Sequence, residues 1–430
     1  MASEGKQLAN KEIAGKTVAI IGGGPSGCAT AIRLARLSRD RGLGVRVVLY
    51  EGKDFEIHYN QCAGVLSPTI DELLQCRLDV ELPYDIFNRQ IFGYRLYAGK
   101  KDILLVGEHK AGATYAVRRV VFDRFFLNRV KQEGVEIFRS RVTALDFTNQ
   151  ERDSVFLYAE GGMLKADVVV GAFGLDDGMM SVFESGTRGH YRRPGRYMHT
   201  FVVKIPSDRT FIEKKLGNII YAYLFPPGMP NLDFGAITPK GDHVIANVAG
   251  HRATVEDMFA FLSLPIVREH LPPFSKDNLE VHRGKFPGKP ARGATGDRYL
   301  VVGDATGWMR PFKGKGINLA IHTGIQAAET MVEHGIGAAS FRLYEEQTRN
   351  LREDYLYGTW MRHLCKVGEI TGMLGTVISM AKVNQDVHDA LYSAVSGQGS
   401  FREMFDRYVR PRMIAEVVRN YVADRRRRRG

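Results

Sequence analysis

The sequence predicts an α/β protein: a parallel-sheet core in discontinuous segments, an inserted antiparallel β-sheet and a helical C-terminal region. Three observations carry this. Unalternating apolar runs, such as Thr17-Val18-Ala19-Ile20-Ile21, have the texture of strands buried on both faces. The first is followed by a helical pattern and a second such run, a strand–helix–strand unit. From about residue 185, shorter β segments recur at the spacing of an antiparallel sheet, and from Phe341 onward the pattern is mostly helical.

Composition narrows the class. The 430 residues are 44% hydrophobic and 25% charged, ordinary globular usage that excludes a disordered or collagen-like chain. The four cysteines, Cys28, Cys62, Cys76 and Cys365, stand at unrelated spacings, against a disulfide scaffold or a cysteine zinc site and in keeping with a reducing cytoplasmic setting. No apolar run reaches a membrane span, and Met1 to Lys16 lacks a signal-peptide core. The formal net charge is +12. Residues 400–430 hold ten arginines against four acids, so half of that excess lies there. A basic run of this kind is a solvated tail or a peripheral contact with an anionic membrane. Nucleic acid is not expected, because little aromatic interleaving and no recognition motif accompany it.

In chain order, Lys16–Gly22 reads as the first buried strand. Pro25 to Arg41 reads as a helix opened by proline, and Val45–Tyr50 as a second strand ending at Glu51. A short helix is predicted from Ser67-Pro68 to about Leu74, then strands near Ile91–Ala98 and Asp102–Val106. Val121–Gln132 is predicted helical, Val135–Phe138 a strand, Arg141–Phe147 with Ser154–Tyr158 a meander, and Asp167–Gly171 a buried strand. The inserted sheet is read in Tyr197–Ile205, Ile219–Phe225, Leu232–Ile237 and His243–Val248, with a helix near Val255–Leu262. Tyr299–Gly303 is the last buried strand and Gly316 to His334 a helix. The expected division is 15–60, 118–184 and 284–335 for the core domain, 61–117 and 185–283 for a substrate domain, and 336–430 for helices and the basic tail.

Gly22-Gly23-Gly24-Pro25-Ser26-Gly27 matches G-x-G-x-x-G between a buried strand and a helix. In a Rossmann-type unit Gly22 permits the tight turn, Gly24 the approach of a pyrophosphate and Gly27 close helix–strand packing. N–H groups from Ser26 onward, with the positive end of the helix dipole, suit phosphate. Glu51, at the end of the second strand, suits a ribose hydroxyl.

The stretch from Arg298 to Ala320 includes Gly303-Asp304, Pro311, Gly314, Gly316 and Ile317. It resembles the Gly-Asp motif of flavoprotein hydroxylases and their relatives. The resemblance implies FAD, with Asp304 on the ribityl chain, Pro311 and Gly314 along the isoalloxazine ring, and the helix start at Gly316 and Ile317 facing its pyrimidine end. Arg118-Arg119-Val-Val-Phe-Asp123-Arg124-Phe-Phe-Leu127 resembles the arginine helix of the same superfamily, with Arg118 favoured over Arg119 as the group nearing the flavin. One departure is Phe173 in Val169-Val170-Gly171-Ala172-Phe173-Gly174, where these proteins carry aspartate. It weighs against hydroxylase-type reduction by pyridine nucleotide unless Asp176 or Asp177 compensates.

Asn60-Gln61-Cys62-Ala63-Gly64-Val65-Leu66-Ser67-Pro68, Tyr221-Ala-Tyr223-Leu-Phe225-Pro226 and Pro239-Lys240-Gly241-Asp242-His243-Val244 resemble signatures of the geranylgeranyl reductase family. In that family the last two run together, whereas here Pro227 to Thr238 intervene and Tyr223 replaces a tryptophan. The resemblance implies hydride transfer from reduced flavin to carbon–carbon double bonds of a small hydrophobic, isoprenoid or lipid-like substrate. The electron donor would be NAD(P)H or a reduced carrier protein. It places Cys62 at the flavin, with Tyr221 and Tyr223 lining an apolar pocket or forming a buried sheet face. His58 and His243 are candidate proton donors. No metal-ligand spacing is present. Two other readings stand beside this one: a flavin monooxygenase or halogenase on the same scaffold, and a flavoprotein acting on a protein partner.

Overall fold

The computed structural model describes residues 12–56, 62–107, 112–147, 153–309, 316–397 and 399–427. Pro311, Gly314, His58 and the last arginines, Arg428 and Arg429, lie outside them.

Five parallel strands and one antiparallel edge strand form the first sheet, in the order Thr295–Gly296, Tyr299–Val301, Val168–Gly171, Thr17–Ile21, Arg46–Tyr50 and Glu136–Phe138. The strand Thr17–Ile21 sits inside it, with Ile20 paired to Val170 on one side and Leu49 on the other. This is why its side chains do not alternate. Val18, Ala19 and Ile20 are fully buried, as are Val48, Leu49 and Val169. Each larger aliphatic side chain so placed contributes roughly 1.5–3 kcal/mol. Two helices, Pro25–Asp40 and Gly316–His334, lie together against this sheet. Their approach depends on Gly324, where a Cβ would stand 2.4 Å from the Ser26 carbonyl oxygen.

The second sheet has seven strands, in the order Val281–Lys289, Gly195–Pro206, His243–Gly250, Phe234–Pro239, Ile219–Leu224, Gly93–Ala98 and Lys101–Val106. Most pairs are antiparallel; Ile219–Leu224 and Gly93–Ala98 run parallel. One face packs on the helix Val255–Ser263, which opens with a reciprocal Thr254–Asp257 capping box. The other is covered by the helices Met373–Ala381 and Gln385–Ser396.

Several expected boundaries move. The strand Val281–Lys289 runs through residue 284, where the core domain was expected to resume, because it pairs with Gly195–Pro206. Leu66, Ile70, Leu74 and Leu78, assigned to the substrate domain, pack in the core of the first sheet. So do Phe341 and Tyr344, assigned to the C-terminal region; the Tyr344 hydroxyl donates to the Val301 carbonyl at 3.4 Å. The helix expected from Ser67-Pro68 forms later, as a wide turn at Glu72–Arg77. No single described helix is long and apolar enough to cross a membrane.

Candidate functional site

The glycine loop joins Thr17–Ile21 to the helix Pro25–Asp40, and its three motif glycines meet different constraints. Gly22 has φ +111°, and a Cβ there would lie 2.4 Å from the Ala172 carbonyl oxygen. A Cβ on Gly27 would stand 1.8 Å from the Gly22 carbonyl oxygen. At Gly24 a Cβ would meet nothing within 4 Å, so this is where the loop opens outward. Gly24 is also the helix cap; no side chain caps the helix, and no acid occupies its first turn. The N–H groups at its start, including that of buried Ser26, are available to an anion. The Glu51 carboxylate braces the loop from behind, accepting from Gly23 N–H and Lys53 N–H, both at 2.7 Å. Burial raises its pKa, against the pull of those two hydrogen bonds.

Asp304 follows Gly303, whose φ is +67° and whose N–H donates to Thr323 Oγ1 at 2.9 Å. That turn drives the aspartate inward. Its Oδ1 is buried without a hydrogen-bond partner among the described residues. Burial raises the carboxyl pKa to about 6, with the Arg119 charge pulling the other way. A Cβ on Gly316, the first residue of its helix, would lie 3.0 Å from this same Oδ1. Ile317 is buried in the core behind it.

The guanidinium that enters the interior is Arg119, not Arg118. Arg119 Nε donates to Asp123 Oδ1 at 2.7 Å, and the pair is almost wholly buried. Although burial disfavours the charge, Asp123 and a hydrogen bond to Cys62 raise the Arg119 pKa. Arg118 is nearly half exposed and pairs outward with Asp242. The spacing held this answer: arginine four residues before aspartate on a helix is a facing pair, and only Arg119 has that spacing to Asp123.

Cys62 is a free, partly buried thiol that accepts the Gly64 N–H at 3.4 Å. Gly64 has φ +63°, and a Cβ there would overlap the Val117 carbonyl oxygen at 2.2 Å. The turn is held by Lys240, 1% exposed, whose Nζ donates to the carbonyls of Gly64 at 2.7 Å and Val117 at 3.0 Å. Burial lowers the lysine pKa to about 7, partly countered by Cys62. Lys240 was not singled out from the sequence, although it stands in the Lys-Gly-Asp-His-Val signature. A lysine between proline and glycine reads as a surface turn until its pairing places it inside.

The remaining candidates fall elsewhere. Tyr221 and Tyr223 belong to the sheet face under the helix Val255–Ser263. The Tyr221 hydroxyl donates to the Lys215 carbonyl at 3.3 Å; that of Tyr223 lies 3.2 Å from the Ile266 carbonyl and 3.0 Å from His270 Nδ1. Both are core residues with satisfied hydroxyls. It is the opposite face, with Ile220, Ala222 and Leu224, that is continuous with Val65 and Ala116 beside the cysteine turn. His243 is 3% exposed, with Nδ1 2.5 Å from Asp242 Oδ1. Burial lowers its pKa to about 4, so it is neutral near pH 7 and unsuited to donate a proton. Phe173 packs against Phe183 and Tyr191 in an aromatic cluster. Asp176 caps the helix Asp177–Gly186, and Asp177 pairs with Lys285. Neither acid takes over the position that Phe173 holds.

The site therefore joins an uncapped helix start, a buried carboxylate whose Oδ1 has no partner among the described residues, placed after the strand two positions away in the sheet, and an arginine–cysteine–lysine group. Comparison with known proteins accords with it. No family model matches the chain. Geranylgeranyl diphosphate reductase of Synechocystis is 25% identical over 332 residues, 73% of this chain and 75% of the relative. Digeranylgeranylglycerophospholipid reductase of Methanococcus vannielii is 29% identical over 273 residues, 59% and 67% of the two chains. The chloroplastic geranylgeranyl diphosphate reductase of tobacco is 25% identical, and the match spans 66% of its length. The chain is thus similar, over more than half its length, to proteins named as geranylgeranyl reductases. The fold is also that of solved structures. A geranylgeranyl bacteriochlorophyll reductase-like protein of Thermoplasma acidophilum superposes with TM-score 0.67 at 16% identity, over 94% of this chain and 99% of that one. A flavin-dependent brominase superposes at 0.62 and 17% identity, over 91% and 98%. The site residues fit FAD: space at Gly24 with free N–H groups suits a pyrophosphate, and the orphaned Asp304 carboxylate suits a polyhydroxyl chain.

Proposed function

We propose that this protein binds FAD between the glycine loop and Asp304, and reduces carbon–carbon double bonds of an isoprenoid or isoprenoid-lipid substrate. The observation that carries this is the buried Asp304 Oδ1, left without a partner among the described residues beside the start of the Gly316–His334 helix. A protein keeps such a group where a ligand completes it. Ser26 and its neighbours would hold the pyrophosphate through backbone N–H groups, Glu51 would meet the ribose with its remaining lone pairs, and Asp304 would accept from the ribityl hydroxyls.

Reduced FAD supplies hydride to one carbon of the double bond; the protein's own groups serve the other half of the reaction. Arg119 sets positive charge beside Cys62. Cys62 is the proposed proton donor to the second carbon, with Lys240 as its electrostatic neighbour and the residue fixing the Cys62–Gly64 turn. Ile220, Ala222 and Leu224 with Val65 give the apolar surface for an aliphatic chain. The basic end of the chain is read as favouring an anionic lipid surface, where such substrates reside.

Anaerobic single-turnover measurement tests the assignment. FAD-loaded protein is reduced by dithionite, then mixed with geranylgeranyl diphosphate or an unsaturated archaeal-type lipid. Expected is return of the oxidised flavin spectrum without O2 and product heavier by two hydrogens per turnover. Re-oxidation only on admitting O2, with oxygen or halogen in the product, would replace this reading with the oxygenase one. Titration of the same protein with NAD(P)H, then with a reduced carrier protein, identifies the donor.

A further inference from the structure

The helix Arg349–Thr371 carries an apolar stripe that nothing among the described residues covers. Leu356, Trp360, Leu364, Val367 and Ile370 are exposed, from 51% at Leu364 to 79% at Ile370. At about 100° per residue they fall within an arc of about 120° on one side of the helix. Glu369 points to the opposite side, so no acid lies on this arc between 356 and 371.

A second helix, Pro411–Arg427, repeats the pattern with Ile414, Val418 and Val422, each at least 42% exposed and spaced i, i+4, i+8. Exposed Arg419 and Arg426 lie beside this stripe, Arg425 continues it towards the helix end and exposed Arg412 stands farther round, whereas Asp424 faces inward within reach of Thr376 Oγ1 at 3.5 Å. The two helices are tied at one point: the Tyr421 hydroxyl donates to the Thr371 carbonyl at 2.7 Å.

We infer that these two stripes form one docking surface that seats the protein on an anionic lipid bilayer, with Trp360 and Ile370 entering the acyl boundary and the arginines meeting the headgroups. An apolar face rimmed by arginine and closed by an indole has the makeup of an in-plane membrane helix. Charge decides against a second copy of the chain as occupant. Self-association would bring one arginine rim against another, within a segment whose excess is six positive charges. Anionic headgroups neutralise the same rim.

The inference rests on the lipid-surface reading above and adds to its arginines an apolar seat that reading does not use. Vesicle flotation of the FAD-loaded full chain separates them, using phosphatidylcholine vesicles with and without 30% phosphatidylglycerol at low and high salt. The wild type should bind the anionic vesicles. The double variant Trp360→Ser, Ile370→Ser should bind at least about tenfold more weakly with unchanged FAD content. Arg425→Glu with Arg426→Glu should weaken binding mainly at low salt. Wild-type tryptophan emission gives an independent readout, because Trp360 is exposed while Trp308, the other tryptophan, is buried. Saturating anionic vesicles should shift the emission to the blue. Absence of that shift, or stripe variants that bind like wild type, overturns the inference. If only the arginine variants lose binding, the electrostatic attraction stands and the apolar seat falls. If wild type ignores vesicles but elutes as a dimer that the stripe variants dissociate, the occupant is a second copy.

Discussion

Asp304 is costly to the empty protein and useful to the loaded one. Its carboxyl titrates near pH 6 in the fold rather than near its ordinary 3.8. Between these values the folded state holds a proton the unfolded chain has lost, so stability without FAD falls as pH rises through this window. The loss is on the order of 2–3 kcal/mol and is complete above pH 6. Asp304→Asn should therefore raise the melting temperature of the FAD-free protein at pH 7, and flatten its dependence between pH 4 and 6. The same change should weaken FAD by tenfold or more, because the carboxylate's charge-assisted acceptor is lost. An unchanged FAD dissociation constant, by fluorescence titration, would contradict the ribityl assignment. The motif Gly-Asp marks this residue in the sequence, but only burial shows the missing partner. Arg119 was legible in principle from its i,i+4 spacing. Lys240 was not, since a lone lysine in a turn carries no sign of the two carbonyls waiting for it.

At the scale of elements, the glycine loop separates packing from binding. Gly27→Ala drives a methyl into the Gly22 carbonyl oxygen. It should destabilise the protein with or without FAD by more than the roughly 1 kcal/mol typical of a point mutation, and so lower its melting temperature. Gly24→Val meets open space in the protein. It should leave the FAD-free melt nearly unchanged and abolish retention of the yellow cofactor. Differential scanning fluorimetry with and without FAD reads both. If the two variants behaved alike, the distinct roles given to these glycines would be wrong. This loop was legible because its chemistry is local. The strand Val281–Lys289 was not: Gly284, Pro287 and Gly288 argue against a strand, and it exists through its pairing with Gly195–Pro206. A Cβ at Gly288 would lie 2.2 Å from the Arg196 carbonyl oxygen, so the residue that hides the strand from a propensity reading is the one that lets it pair. The alternation of Tyr221 and Tyr223 likewise gave a strand with the correct period. Which of its faces meets the cysteine turn depends on the helix Val255–Ser263, and nothing within the strand encodes that.

Over the whole molecule, the segments cooperate at distances no local pattern reports. Gly93–Ala98 pairs in parallel with Ile219–Leu224, and so carries the chain that follows Cys62 into the second sheet. The expected substrate domain divides at this point: residues 66–86 pack with the first sheet and 91–106 with the second. The C-terminal helices then close that second sheet from one side. Leu374, Ile378, Met380, Val387, Tyr392 and Val395 are buried with Leu96, Ile103 and Leu105. Six such side chains at roughly 1.5–3 kcal/mol each amount to about the whole stability of an ordinary domain. The helix Pro411–Arg427 contributes far less, through partly buried Met413 and Val417. Truncations should reflect this asymmetry. A chain ending at residue 410 should remain soluble, hold FAD and melt within a few degrees of the full chain. A chain ending at residue 372 exposes the apolar sheet face and should aggregate or bind a hydrophobic dye strongly even when FAD is supplied. Light scattering and dye fluorescence on the two purified truncations distinguish the cases. A soluble, FAD-loaded protein ending at 372 would mean that the second sheet does not need its helical cover.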